Sequence, residues 1–104
     1  MNTNDATKVY AWLDQWGDAV GPGWRKILQA AVENMFMNGW DGSTAQVKEK
    51  FGMLRFYIGG MSPHCDMAEA AEFASQFICE QCGEAGRLRC KRGWWKTVCT
   101  KCER

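Results

Sequence analysis

Histidine is almost missing from this chain. One residue of 104, His64, carries an imidazole, so acid–base or nucleophile chemistry built on histidine would have to centre there, and the sequence offers it no recognisable catalytic partner. The plainer expectation is a surface histidine at a helix start. Only two prolines occur, and there is no internal repeat, low-complexity tract or long linker. No apolar run is long enough to cross a membrane. The first residues lack the pattern of a secretory leader. The expectation is therefore a cytoplasmic chain with reduced thiols, a setting that favours metal over disulfides. A charge excess is missing too. Thirteen basic and twelve acidic side chains give +1, where nucleic-acid binders usually show a clear basic surplus.

What the chain has is cysteine, six in all. Four of them form Cys79-Glu80-Gln81-Cys82 and Cys99-Thr100-Lys101-Cys102, with sixteen residues between. Two CxxC pairs at this separation have the spacing of a tetrahedral zinc site. One structural Zn²⁺ per chain is expected, held by Cys79, Cys82, Cys99 and Cys102, with no open coordination position for a substrate. Gly83 follows the first pair where a left-handed backbone turns N–H groups toward the sulfurs. Glu103 stands at the equivalent place after the second pair, whose turn is expected to be looser. A redox dithiol is the alternative, but the βαβ context of such motifs is missing. Cys65 and Cys90 are left over. A second site with His64, or a reactive thiol, is one reading. The preferred one is that Cys90 packs in the finger and Cys65 sits at a helix start.

At 104 residues the chain is expected to form one domain, 1–104, with an α+β body over 1–78 and a zinc ribbon over 79–102 integral to it. Such a domain buries a modest core, which six tryptophans and five phenylalanines enlarge. Asp5 can cap a first helix reaching Trp16, with Val9, Trp12, Leu13 and Trp16 on one face. Gly21-Pro22-Gly23 breaks it. A second helix is expected from Trp24 to Met37, its stripe formed by Trp24, Ile27, Leu28, Ala31, Val32, Met35 and Phe36, with Asn38-Gly39 ending it. The two should pack as a hairpin, with Trp24 and Trp40 in the core. Leu54, Phe56 and Ile58 alternate with Arg55 and Tyr57, so a strand follows. The segment before it suits a helical turn or a strand, and a strand turning at Gly52 is preferred. Gly59-Gly60 ends the element. Ser62-Pro63 starts a third helix, for which Asp66 and Glu69 offer a competing capping box. Met67, Ala70, Ala71, Ala74, Phe77 and Ile78 are expected to line it as it runs straight into Cys79. Arg87 to Arg89 and Trp94 to Val98 look like a hairpin turning near Arg92-Gly93.

The finger is the one locally basic stretch. Arg87, Arg89, Lys91, Arg92 and Lys96 occur there without an acid, beside Trp94 and Trp95. One reading is phosphate contact with a tryptophan stacked on an unpaired base. The other is charge balance around a zinc–tetrathiolate centre, formally about −2, with Asp66, Glu69, Glu72, Glu80 and Glu84 nearby in sequence to cancel the field. Lys48, Lys50, Arg55 and Tyr57 form a second polar patch, for which a solvated sheet face is sufficient explanation.

The string Val47–Tyr57, VKEKFGMLRFY, resembles a segment of short zinc-ribbon proteins encoded by bacteriophages and prophages, whose function is unassigned. Ala68 to Ser75, Cys79-Glu80-Gln81-Cys82-Gly83, Gly93-Trp94, Thr97-Val98-Cys99 and the upstream Gly23-Trp24 are also similar. The resemblance spans roughly residues 21–102 as separated motifs. It implies an intracellular, zinc-binding accessory protein of phage type, located in the host cytoplasm, and supplies no catalytic residue.

The expected fold is thus α+β: an N-terminal helical hairpin, a small antiparallel sheet, and a third helix leading into a four-cysteine zinc ribbon. The first functional expectation is a non-enzymatic module that binds a host protein, possible targets being an enzyme or defence complex that it inhibits. It rests on near-neutral charge, abundant tryptophan and the lack of a catalytic constellation. The second is nucleic-acid binding through residues 87–96. No small-molecule substrate and no membrane partner is indicated.

Overall fold

The computed structural model describes residues 2–59 and 62–103. Met1 lies outside them, and so does Gly60, half of the expected strand terminator. Helix α1 spans Thr3–Trp16 and α2 spans Arg25–Met37, with two short 3₁₀ turns, Gly17–Ala19 and Pro22–Trp24, between them. The cap of α1 is Asn2, not Asp5. Asn2 Oδ1 accepts from the Asp5 N–H at 2.8 Å, and Asp5 lies one turn further in, where its charge complements the helix N-terminus. Val9, Trp12 and Leu13 of α1 face Leu28, Val32, Met35 and Phe36 of α2 in one core. The helical hairpin is as the spacing predicts, and both Trp24 and Trp40 are buried.

Strands β1 (Gln46–Lys50) and β2 (Met53–Tyr57) pair antiparallel, Val47 opposite Phe56 and Lys48 opposite Arg55. Phe51 and Gly52 join them with φ of 55° and 80°. Two positive φ values in a two-residue loop match the right-handed twist of the strands. The register turns Val47, Leu54 and Phe56 inward. Phe56 meets Trp12 at 5.3 Å between ring centroids, and Trp40 lies against both.

Helix α3 spans Cys65–Ser75 and lies along β2. It stops short of the expected run into Cys79. Ser75 is fully buried. Its hydroxyl donates to the Glu72 carbonyl at 2.6 Å and accepts from the Leu54 N–H at 3.0 Å, a side-chain competition that turns the backbone out of the helix. Ile78 then forms an isolated bridge with Ala85. The buried stripe is rotated accordingly. Ala68, Ala71 and Ser75 face inward, while Ala70 and Phe77, expected inside, are exposed. Burying Ser75 to satisfy Leu54 decides this rotation.

Strands β3 (Arg87–Lys91) and β4 (Trp94–Val98) form a second two-stranded sheet. Its turn is Arg92-Gly93, with φ of 53° and 83°. Among the described residues the result is an α+β fold of three α-helices and two small antiparallel sheets. Among the described residues no helix is long and apolar enough to cross a membrane.

Candidate metal centre

Cys79 and Cys82 lie on the turn after the Ile78 bridge, and Cys99 and Cys102 on the turn after β4. Their four sulfurs all lie within 4.8 Å of one another, with Cys82 Sγ to Cys99 Sγ at 3.6 Å. Four thiolates about 2.3 Å from a tetrahedral zinc ion would stand about 3.8 Å apart, so the cluster fits such an ion in donor type, number and spacing. It is too open for a disulfide, whose sulfurs sit about 2.05 Å apart. The two turns close alike. Gly83 N–H donates to the Cys79 carbonyl at 3.0 Å, and Glu103 N–H to the Cys99 carbonyl at 3.1 Å. Gly83 adopts φ of 83° as its position predicts. The second turn needs no glycine to close, against the expectation of a looser one.

Main-chain N–H groups aim at the sulfurs. Burial pushes the Cys79 thiol up, but donation from the N–H groups of Cys82, Cys99 and Gln81 outweighs it and brings the thiol down to about 6. Donation from the Cys102 N–H likewise lowers Cys99. At Cys82 the Glu84 N–H pulls downward, yet burial and the neighbouring thiols of Cys99 and Cys79 prevail and raise it. The side chains of Cys99 and Cys79 push Cys102 up to about 12. Crowded thiols resist losing all their protons together, and a dication is what would relieve that crowding.

The first turn is clamped by distant backbone. Gly23 N–H donates to the Glu80 carbonyl at 2.8 Å, and Trp24 Nε1 donates to the Ile78 carbonyl at 2.8 Å. A Cβ on Gly23 would come within 2.0 Å of the Cys79 carbonyl oxygen and 2.6 Å of Gly83 N. From another side, Thr97 Oγ1 donates to the Gly52 carbonyl at 2.7 Å, and Glu80 N–H donates to the Thr97 carbonyl at 2.9 Å. The sequence alone marks Gly23 as a helix breaker and Gly52 as a turn, and gives no hint that both touch the ribbon beyond their co-occurrence with the cysteine knuckle in the resemblance. Glu80, between the first two cysteines, is buried with Oε1 unpartnered. Burial, reinforced by Glu49, pushes its carboxyl up against the opposing pull of Lys96.

Strand alternation divides the finger residues between two faces. Arg87 pairs with Val98, Arg89 with Lys96 and Lys91 with Trp94, so Arg87, Arg89, Lys91, Trp94 and Lys96 share the outer face with the buried Val98. Leu88, Cys90, Trp95 and Thr97 share the other, which carries the Gly52 contact. The two tryptophans are thus separated. Trp94 is 74 % exposed, and it lines a groove of about 610 Å³ with Arg89, Lys91, Arg92, Lys96 and Glu103, above Val98 and Cys102. Arg89 forms an ion pair with Glu103, the residue after Cys102. The second turn therefore walls the cationic face. Of the expected counter-charges, Glu72 accepts from the Phe56 N–H at 2.7 Å and Glu80 is buried, and neither lines the groove. Lys48 and Arg55 share a face of the first hairpin, with Lys50 and Tyr57 on its exposed side. Helix α3 begins at Cys65, after His64, and not at the expected Ser62-Pro63, so Cys65 does sit at a helix start, while Cys90 is exposed on the finger where packing was expected. Cys65, Cys90 and His64 stand outside the four-sulfur cluster.

Compared with protein-family models, curated proteins and solved structures, the chain matches none. Function has to be read from the sulfur cluster and the ribbon face.

Proposed function

We propose that this chain is a small non-catalytic protein stapled by one structural zinc ion, and that it binds nucleic acid through the outer face of the β3–β4 ribbon. The observation that carries this reading is the register of β3 on β4. It gathers Arg87, Arg89, Lys91 and Lys96 on one side around an open tryptophan, while the whole chain stays near neutral. A local cationic face suffices for phosphate contact when bulk charge does not supply it. The zinc ion would contribute folding energy and hold the Cys102–Glu103 wall of the groove. The test is a mobility-shift titration of zinc-loaded protein against salt. Affinity should fall steeply as salt rises, and Arg89→Ala with Lys91→Ala should abolish it. Salt-independent or absent binding would refute the reading.

A second reading is favoured by a different surface. Phe73 and Phe77 pack edge to face at 5.3 Å between centroids, yet are 64 % and 54 % exposed. No lysine or arginine occurs between Arg55 and Arg87. An aromatic step in a cation-free stretch suits a protein partner. The likeness to phage accessory proteins would make that partner a host protein in the host cytoplasm. Capture from nuclease-treated host lysate that is lost in Phe73→Ala with Phe77→Ala would establish it. Recovery of the same proteins by the double variant would exclude it.

A further inference from the structure

The cationic groove contains residues that a simple phosphate cradle would not include: Val98 and Cys102 on its floor, and an acid on its wall. Glu103 lines it with a carboxylate whose side chain is 39 % exposed, and the Arg89 guanidinium pins it in place. Arg89 spends one end on Glu103 and keeps Nε buried and without a partner. A phosphate approaching this end would meet a negative charge. A base edge would meet a fixed acceptor beside a guanidinium. Trp94 offers an open ring in the same groove, next to Lys91, its cross-strand partner, and Arg92. Successive outward residues on a strand stand about 6.8 Å apart, so Arg89 and Lys91 serve different points along one ligand.

Resting on the nucleic-acid reading above, the geometry points to a base-edge reader: a single strand lies in the groove with one base stacked on Trp94, its phosphates on Lys91, Arg92 and Lys96, and its polar edge turned to the Arg89–Glu103 pair. A duplex cannot present such a base, because its faces are stacked and its pairing edges are taken. The pair also sorts bases. A carboxylate accepts from an exocyclic amine, as Glu or Asp does from cytosine N4. Thymine and uracil have no exocyclic amine and place carbonyl oxygens there. The groove therefore selects amine-bearing bases.

The test is titration of full-length zinc-loaded protein, at fixed salt, into fluorescein-labelled oligo-dC, oligo-dT and a blunt duplex of equal length, followed by the anisotropy of the label. The dC strand should bind at least about fivefold tighter than dT, within the range for one good base contact, and the duplex weakest. Trp94→Ala should lose about tenfold or more on dC, with Trp94→Phe restoring most of it. Glu103→Ala, with zinc content checked, should remove the dC preference while strengthening dT, because a repelling charge is gone. Equal wild-type affinity for dC and dT, or a preference that survives in Glu103→Ala, would overturn the base-edge reader and leave the ribbon as a salt-dependent nucleic-acid binder. Failure of every oligonucleotide to bind would remove the nucleic-acid reading itself.

Discussion

At the scale of single residues, the most demanding position is one with no side chain. Gly23 lies where a methyl group would be 2.0 Å from the Cys79 carbonyl oxygen, a backbone atom that cannot swing aside. Gly23→Ala should destabilise the fold by about 3 kcal/mol or more, the upper range of overpacking, and loosen the Cys79–Gly83 turn with it. A denaturation midpoint compared with that of Gly39→Ala separates this packing effect from glycine loss in general. Gly39 has φ of 86°, but a methyl group there would meet nothing within 4 Å, so its penalty is conformational strain alone, about 1 kcal/mol. Ser75 is the polar counterpart. Removing its hydroxyl in Ser75→Ala leaves the buried Leu54 N–H without its acceptor, and a loss of about 1–3 kcal/mol should appear in the same measurement.

At the scale of elements, α3 does for β2 what a third strand would do. Glu72 and Ser75, one turn apart, accept from the N–H groups of Phe56 and Leu54, so the outer edge of the hairpin is closed by side chains. The ribbon face is the element that faces solvent. Lys91→Ala with Lys96→Ala should reduce the slope of log K against log salt by about 1.4 for a single strand, about 0.7 for each phosphate no longer neutralised. Lys26→Ala on α2 should leave the slope unchanged. Much of this layout was legible in sequence. Alternation marked β2, helical spacing marked α1 and α2, and Gly52 and Arg92-Gly93 marked the two turns, though Phe51 was read with the strand and not with the turn. The rotation of α3 was not legible, because Ala70 and Ala74 are as apolar as Ala68 and Ala71, and only the partner of Ser75 decides which stripe faces inward. The sulfur cluster was legible because its spacing is local. Its clamp was not, because Gly23 and Cys79 lie 56 positions apart and no pattern links a glycine to a carbonyl it must approach.

At the scale of the whole molecule, two cores coexist among the described residues. The main one joins both N-terminal helices, the first hairpin and α3, and the small one consists of Cys79, Val98 and Cys99 with Cys102 against them. So small an apolar cluster holds little by itself, and bound zinc would supply the rest. Chelation should therefore remove tertiary signal from the ribbon, read as a drop in Trp94 and Trp95 fluorescence anisotropy, before helical circular dichroism from α1 and α2 declines. Acid should do the same. Binding requires thiolates, and the Cys102 thiol, at about 12, has the strongest hold on its proton. Protons thus compete with the metal, and zinc affinity should fall as pH is lowered, as a chromophoric chelator would register.

The contact between the Gly21–Trp24 loop and the Cys79–Gly83 turn also bears on protein engineering. Anyone grafting these two knuckles onto a foreign scaffold would find that the cysteine segment is not a portable cassette. Its floor is supplied by Gly23 and the Trp24 indole, and its flank by the Gly52 carbonyl. A transplant would have to carry those two loops along or redesign the host to imitate them.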